Sequence, residues 1–138
     1  MKLIKLFSFL FAGMLLFSSC IEDKKDDSGF VNKLTFGTSI NYTNFTLGDE
    51  GSSFSTSPGN VAYRLESDED FNSNPVKFVI KKDGATYSTE IFSSNPTPTG
   101  HIFMTTLNYG LSGSYSVSAY IVKTGGDKLV ASGSFQMY

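Results

Sequence analysis

The sequence predicts an all-β domain, an antiparallel β-sandwich of about seven to eight strands. Three observations carry that expectation. After residue 30 no apolar pattern recurs at helical spacing; Phe, Tyr, Val, Ile, Thr and Ser alternate in short runs broken by Gly, Pro, Asn and Asp. Asp83-Gly84, a dipeptide suited to a two-residue hairpin turn, stands between two such runs. Pro58, Pro75, Pro96 and Pro98 all fall between runs, where a missing N–H costs no ladder bond.

The chain opens with a segment of another kind. Lys2 and Lys5 precede an almost wholly apolar run from Leu6 to Phe17, the order of an export signal. A spanning helix needs roughly 20 apolar residues. This run is shorter, and Ser18, Ser19 and a charged stretch end it. Cys20 is the only cysteine. The segment Phe17-Ser18-Ser19-Cys20 resembles a bacterial lipobox, although stricter versions carry Leu where Phe17 stands. The resemblance implies that residues 1–19 are removed and that Cys20 is acylated, anchoring the protein in a membrane. Two or more acyl chains hold a protein stably where one holds it marginally. The alternative is an ordinary secretory signal with Cys20 incidental.

Residues 20–29 then form a tether. Ile21 to Gly29 is charged and lacks core-forming side chains, so it cannot offset the entropy of becoming ordered. Its acidic cluster resembles the surface-export signal of lipoproteins from the Bacteroidota. Ile21 is also not the aspartate that keeps enterobacterial lipoproteins in the inner membrane. Both resemblances imply the outer membrane and its outer face, with a periplasm-facing location as the alternative.

Residues 30–138 remain for one domain, long enough for a single core. Losing Lys2 and Lys5 with the signal moves the formal net charge from −2 to −4. That balance excludes nucleic acid, which demands a basic surface. No cysteine follows Cys20, so the domain holds together by packing alone.

The first strand is expected near Leu34–Thr38. In Ile40 to Leu47, Ile40 and Tyr42 share one parity and Phe45 and Leu47 the other. A bulge near Thr43–Asn44 would keep all four inside. Gly48-Asp49-Glu50-Gly51 turns the chain. Asn60 to Glu66 reads as a strand with Val61, Tyr63 and Leu65 inward and Ala62, Arg64 and Glu66 outward.

Next, Asp68, Asp70, Asn72 and Asn74 place oxygen side chains at alternate positions, like the front of a calcium loop. The twelfth position, which needs a carboxylate, is Val79. A solvated polar loop is the competing reading.

Val76 to Lys82 and Ala85 to Phe92 flank Asp83-Gly84 as a hairpin. Pairing Lys82 with Ala85 brings Lys77 opposite Glu90, a favourable cross-strand pair. Ser93 to Gly100 is a loop, and His101 to Asn108 the next strand.

From Leu107 the chain reads Leu-Asn-Tyr-Gly-Leu-Ser-Gly-Ser-Tyr-Ser-Val. This resembles the late-strand region of immunoglobulin-like sandwiches, and the likeness implies that architecture, with the Tyr115 hydroxyl closing a tyrosine corner. The inter-sheet cysteines and the tryptophan of antibody domains are absent, so it implies no binding role. In the last hairpin a Gly125-Gly126-Asp127 loop opposes Thr124 to Lys128 and Ile121 to Ala131; a two-residue Gly-Gly loop is the alternative. The preferred version leaves Tyr120, Val122 and Val130 together on the outer face as a candidate contact surface.

Catalytic patterns are thin. One His and no cysteine after Cys20 exclude a His-Cys metal cage and a cysteine protease. His101 lies among apolar residues with no Gly-x-Ser-x-Gly elbow. The acids cluster in turns and tether rather than flanking a cleft. No Gly-rich phosphate loop is present, and the lack of Trp counts against a sugar-binding module. No cofactor is expected. The reading is a lipid-anchored, non-enzymatic surface module contacting a protein or glycan partner. The alternative is a small inhibitor that presents Ser93–Gly100 or Ser67–Asn74 to a hydrolase.

Overall fold

The computed structural model describes residues 29–93 and 100–138. The expected signal, Cys20 and the expected tether up to residue 28 lie outside the described residues, as do residues 94–99 of the expected Ser93–Gly100 loop. Ten strands follow in chain order: β1 Lys33–Gly37, β2 Ser39–Asn41, β3 Thr46–Gly48, β4 Ser53–Phe54, β5 Asn60–Glu66, β6 Val76–Lys82, β7 Ala85–Phe92, β8 Ile102–Asn108, β9 Gly113–Ile121 and β10 Lys128–Met137. They form a three-stranded sheet, β1-β5-β8, and a five-stranded sheet, β4-β10-β9-β6-β7, with β2-β3 as a separate hairpin. Every pairing is antiparallel except the short β4–β10 contact, which is parallel. This is the expected all-β sandwich.

Period-two alternation fills the space between the sheets. β5 sends in Val61, Tyr63 and Leu65, β6 sends Val76, Phe78 and Ile80, and β9 sends Tyr115, Val117, Ala119 and Ile121; all are buried. Each large side chain so buried contributes about 1.5–3 kcal/mol. Aromatic rings dominate the middle. Phe36 meets Tyr63 edge-on at 5.1 Å, and Tyr115 stacks on Phe135 at 5.3 Å.

Ala62 was expected to face outward, yet it is fully buried. The β2–β3 hairpin lies over the outer face of β5, where the Arg64 Nε–H donates to the Phe45 carbonyl at 2.8 Å. The expected bulge near Thr43–Asn44 is instead the turn of this hairpin. Phe45 takes a positive φ of 56°, Ile40 pairs with Leu47, and Tyr42 points to solvent.

Two registers differ from expectation. Asp83 and Gly84 take positive φ and pair Lys82 with Ala85 as expected. Then Lys81 pairs with Thr86 and Ile80 with Ser88, which leaves Tyr87 as a bulge residue. Beyond it Lys77 opposes Ile91 rather than Glu90, and Glu90 opposes Phe78. Lys77 turns to Asp127 instead and lies 4.9 Å above the Tyr120 ring.

The β9–β10 loop is longer than the expected three residues, so Ile121 pairs with Lys128, not Ala131. A bulge near Val130 follows, and Ala119 then meets Ala131, Val117 meets Gly133 and Tyr115 meets Phe135. A slip of two keeps the same faces inward. The bulge also corrects the candidate contact surface. Val130 turns into the core, while Tyr120 and Val122 stay half-buried, so the three share no outer face.

The sandwich has two poles. At one, Phe30–Asn32 enters beside the loops 67–74 and 122–127: Val31 N–H donates to Glu66, and Asp68 N–H to Asn32. Glu69 pairs with both Lys123 and Lys128 there. The other pole carries the Asp83-Gly84 turn, the 109–112 connection, the 55–59 connection and Tyr138.

Candidate functional site

β7 is an edge of the five-stranded sheet and β8 an edge of the three-stranded one. Where the two edges run past each other they leave a cleft of about 380 Å³, lined by Ile80, Tyr87, Ser88, Glu90, Leu107, Asn108 and Tyr109. It lies along the half of the sandwich remote from Phe30. A second hollow, about 280 Å³, sits near Phe54, Pro58 and Tyr138.

The β7 bulge creates the polar side of this cleft. Paired residues in an antiparallel ladder share a face, so Glu90 opposite Phe78 and Ser88 opposite Ile80 are turned to the core side of the sheet. In unbroken register both would face out. Glu90 is half-buried, and among the described residues its carboxylate has neither a hydrogen bond nor an ion-pair partner. From β8, the Asn108 amide donates to the Pro58 carbonyl at 2.8 Å and to Asn60 Oδ1 at 3.0 Å. These bonds hold Asn108 at outward parity on the rim of the cleft.

Tyrosines form the wall. Tyr109 lies 6.1 Å from Tyr87 and 4.8 Å from Tyr115. Tyr87 also meets Tyr115 edge-on at 5.4 Å and keeps 41% of its surface exposed. Behind Tyr109, its hydroxyl and that of Tyr63 form a buried hydrogen bond. Burial, reinforced by the neighbouring Tyr109, pushes the Tyr63 hydroxyl far above the ordinary tyrosine value. Burial also raises Tyr109, although the bond from Tyr63 takes back part of the shift. Both stay neutral, so neither serves as a phenolate base. The Tyr115 hydroxyl donates to the Leu111 carbonyl at 2.9 Å, the expected tyrosine corner.

The residues singled out in the sequence lie elsewhere. Asp70 Oδ1 accepts the Asn72 N–H at 2.6 Å, and the Asn74 amide donates to the Phe71 carbonyl at 2.8 Å. Asp70, Asn72 and Asn74 thus shape a tight turn in which Asn72 and Ser73 take positive φ, while Asp68 Oδ1 is buried without a hydrogen-bond partner among the described residues. Among the described residues no group of three or more His, Cys, Asp or Glu is placed to hold a metal ion. His101 is buried at the tether pole, donating through Nδ1 to the Ser67 carbonyl at 3.0 Å and stacked on Phe30 at 4.8 Å. It clamps the start of the domain.

Sequence reasoning missed Glu90, Ser88 and Asn108. Only the crowding of Tyr63, Tyr87, Tyr109 and Tyr115 hinted at an aromatic site, and that pattern equally describes a core.

No protein-family model and no curated relative matches the chain. Among solved structures it is similar to the PmoD soluble domain from Methylocystis sp. ATCC 49242 (Rockwell), at a TM-score of 0.47 and 12% identity, over 76% of this chain and 89% of that one.

Proposed function

We propose that the protein is a lipid-anchored, non-enzymatic binding module of the outer membrane, displayed on the cell surface, that engages a protein partner through the β7–β8 cleft. The lipobox-like residues Phe17 to Cys20 and the acidic tether support the location. The observation that carries the contact is the position of the cleft. The chain enters at Phe30–Asn32, whereas the cleft opens along the half of the sandwich remote from that entry, with one unpaired carboxylate and exposed aromatic surface. A domain held at one pole presents the other to solvent.

The same geometry counts against the inhibitor reading. Ser67–Asn74 and the ends of Ser93–Gly100 lie at the tether pole. Glu69 also ties the first loop to Lys123 and Lys128.

Protease shaving of intact cells tests the location, comparing wild type with Cys20→Ala and with Glu22, Asp23, Asp26 and Asp27 neutralised. The expected result is cleavage of the wild-type domain on intact cells and protection when the tether is neutralised. Cleavage of wild type only after permeabilisation would place the domain in the periplasm and overturn the surface assignment.

A further inference from the structure

We propose that the β7–β8 cleft is a receptor for an organic cation, the ammonium or guanidinium end of a lysine or arginine side chain presented by a protein partner. The inference rests on the binding-module reading and specifies what the cleft recognises.

The one charged group lining the cleft is an acceptor. Glu90 offers a half-buried carboxylate with no partner among the described residues. Ser88 adds a hydroxyl that can accept. Tyr63 and Tyr109 satisfy each other and do not compete. An anion would be repelled by the Glu90 carboxylate, and a neutral sugar would leave its charge unanswered. Ammonium and guanidinium groups bring donors alone.

The walls agree with that charge. Tyr87 keeps 41% of its surface exposed beside Glu90, and the face of an aromatic ring is the negative side of its quadrupole, which attracts a cation. Lys81 is exposed at outward parity beside Ile80, and the other two lysines of β6 are engaged elsewhere. Lys77 pairs with Asp127, and Lys82 with Asp83 at 2.7 Å. The acidic balance of the whole chain favours the same partner.

The test uses the full chain in non-ionic detergent micelles, followed by backbone amide NMR. The probes are acetyl-lysine methylamide and acetyl-arginine methylamide, with acetyl-norleucine methylamide as the uncharged control and n-butylammonium as a free amine. Saturable shifts confined to residues 86–91 and 106–110 are expected for the two cationic peptides, at millimolar affinity. Glu90→Gln should weaken binding about tenfold or more, since a charge-assisted bond to a carboxylate is the strong kind. Tyr87→Leu should weaken it severalfold with the fold intact.

Equal binding of the norleucine probe, or an unchanged affinity in Glu90→Gln, would overturn the cation site. Tighter binding of n-butylammonium than of either peptide would overturn the assignment to a partner side chain. No binding by any probe, alongside positive shaving, would remove the cation site while the surface-module reading stands.

Discussion

At the scale of single residues, the hydroxyl pair of Tyr63 and Tyr109 is the most consequential polar feature inside the sandwich. Two buried hydroxyls answer each other across the sheets, so deleting one strands the other. An unpaired buried hydroxyl costs about 1–3 kcal/mol, whereas replacing both partners by apolar groups is close to neutral. Tyr109→Phe and Tyr63→Phe should therefore each destabilise by about 1–3 kcal/mol, since each leaves a buried hydroxyl without its partner. The double variant should cost less than the sum of the two. Urea unfolding of the four proteins forms the cycle. Strict additivity would show that the hydroxyls do not support one another.

At the scale of elements, Gly133 shows how closely the sheets approach. It lies opposite Val117 on the inner face of β10, and a Cβ there would come within 2.8 Å of Phe36 Cε2 and 3.0 Å of Cζ. The Phe36 ring is held by Tyr63 and Phe135, at 5.1 and 5.0 Å, and has little room to retreat. Gly133→Ala should cost about 1–3 kcal/mol through overpacking, read as a lowered urea midpoint with an unchanged slope. Wild-type stability would mean that the sheets separate easily. The strands themselves were legible in the sequence, because local alternation and turn chemistry define them. Asn60–Glu66, Val76–Lys82 and Ala85–Phe92 begin and end as expected, and Tyr115 closes its corner. Registers were less legible, since a bulge depends on packing against distant chain. Tyr87 leaves the ladder to meet Tyr109 and Tyr115, and no local pattern announces that. The cleft followed from this hidden step. Glu90 looked like an outer-face partner for Lys77 until one extra residue turned it inward.

At the scale of the whole molecule, the two poles are held by opposite means, and pH should separate them. The pole where Phe30 enters depends on carboxylates. Burial works to raise Glu66, but hydrogen bonds from Arg64 and the Val31 N–H outweigh it and hold the carboxyl below its ordinary value. Hydrogen bonds from Lys123 and Lys128 lower Glu69 outright. A carboxyl lowered by folding stabilises the native state above its ordinary value of 4.5, and that stability fades as pH falls through the folded value. The aromatic wall behaves in the opposite sense. Tyr63 and Tyr109 are raised by burial, so their contribution is whole below the ordinary value of 10.0 and fades as pH climbs above it. Stability should thus run level between these limits and fall on both sides. Each partly exposed ion pair contributes about 0.2–1 kcal/mol. Urea midpoints measured across pH should show Glu66→Gln/Glu69→Gln flattening the acid limb alone, and Tyr63→Phe/Tyr109→Phe flattening the alkaline limb alone. If the glutamine pair keeps the wild-type acid slope, carboxylates other than these two secure the pole where the chain enters.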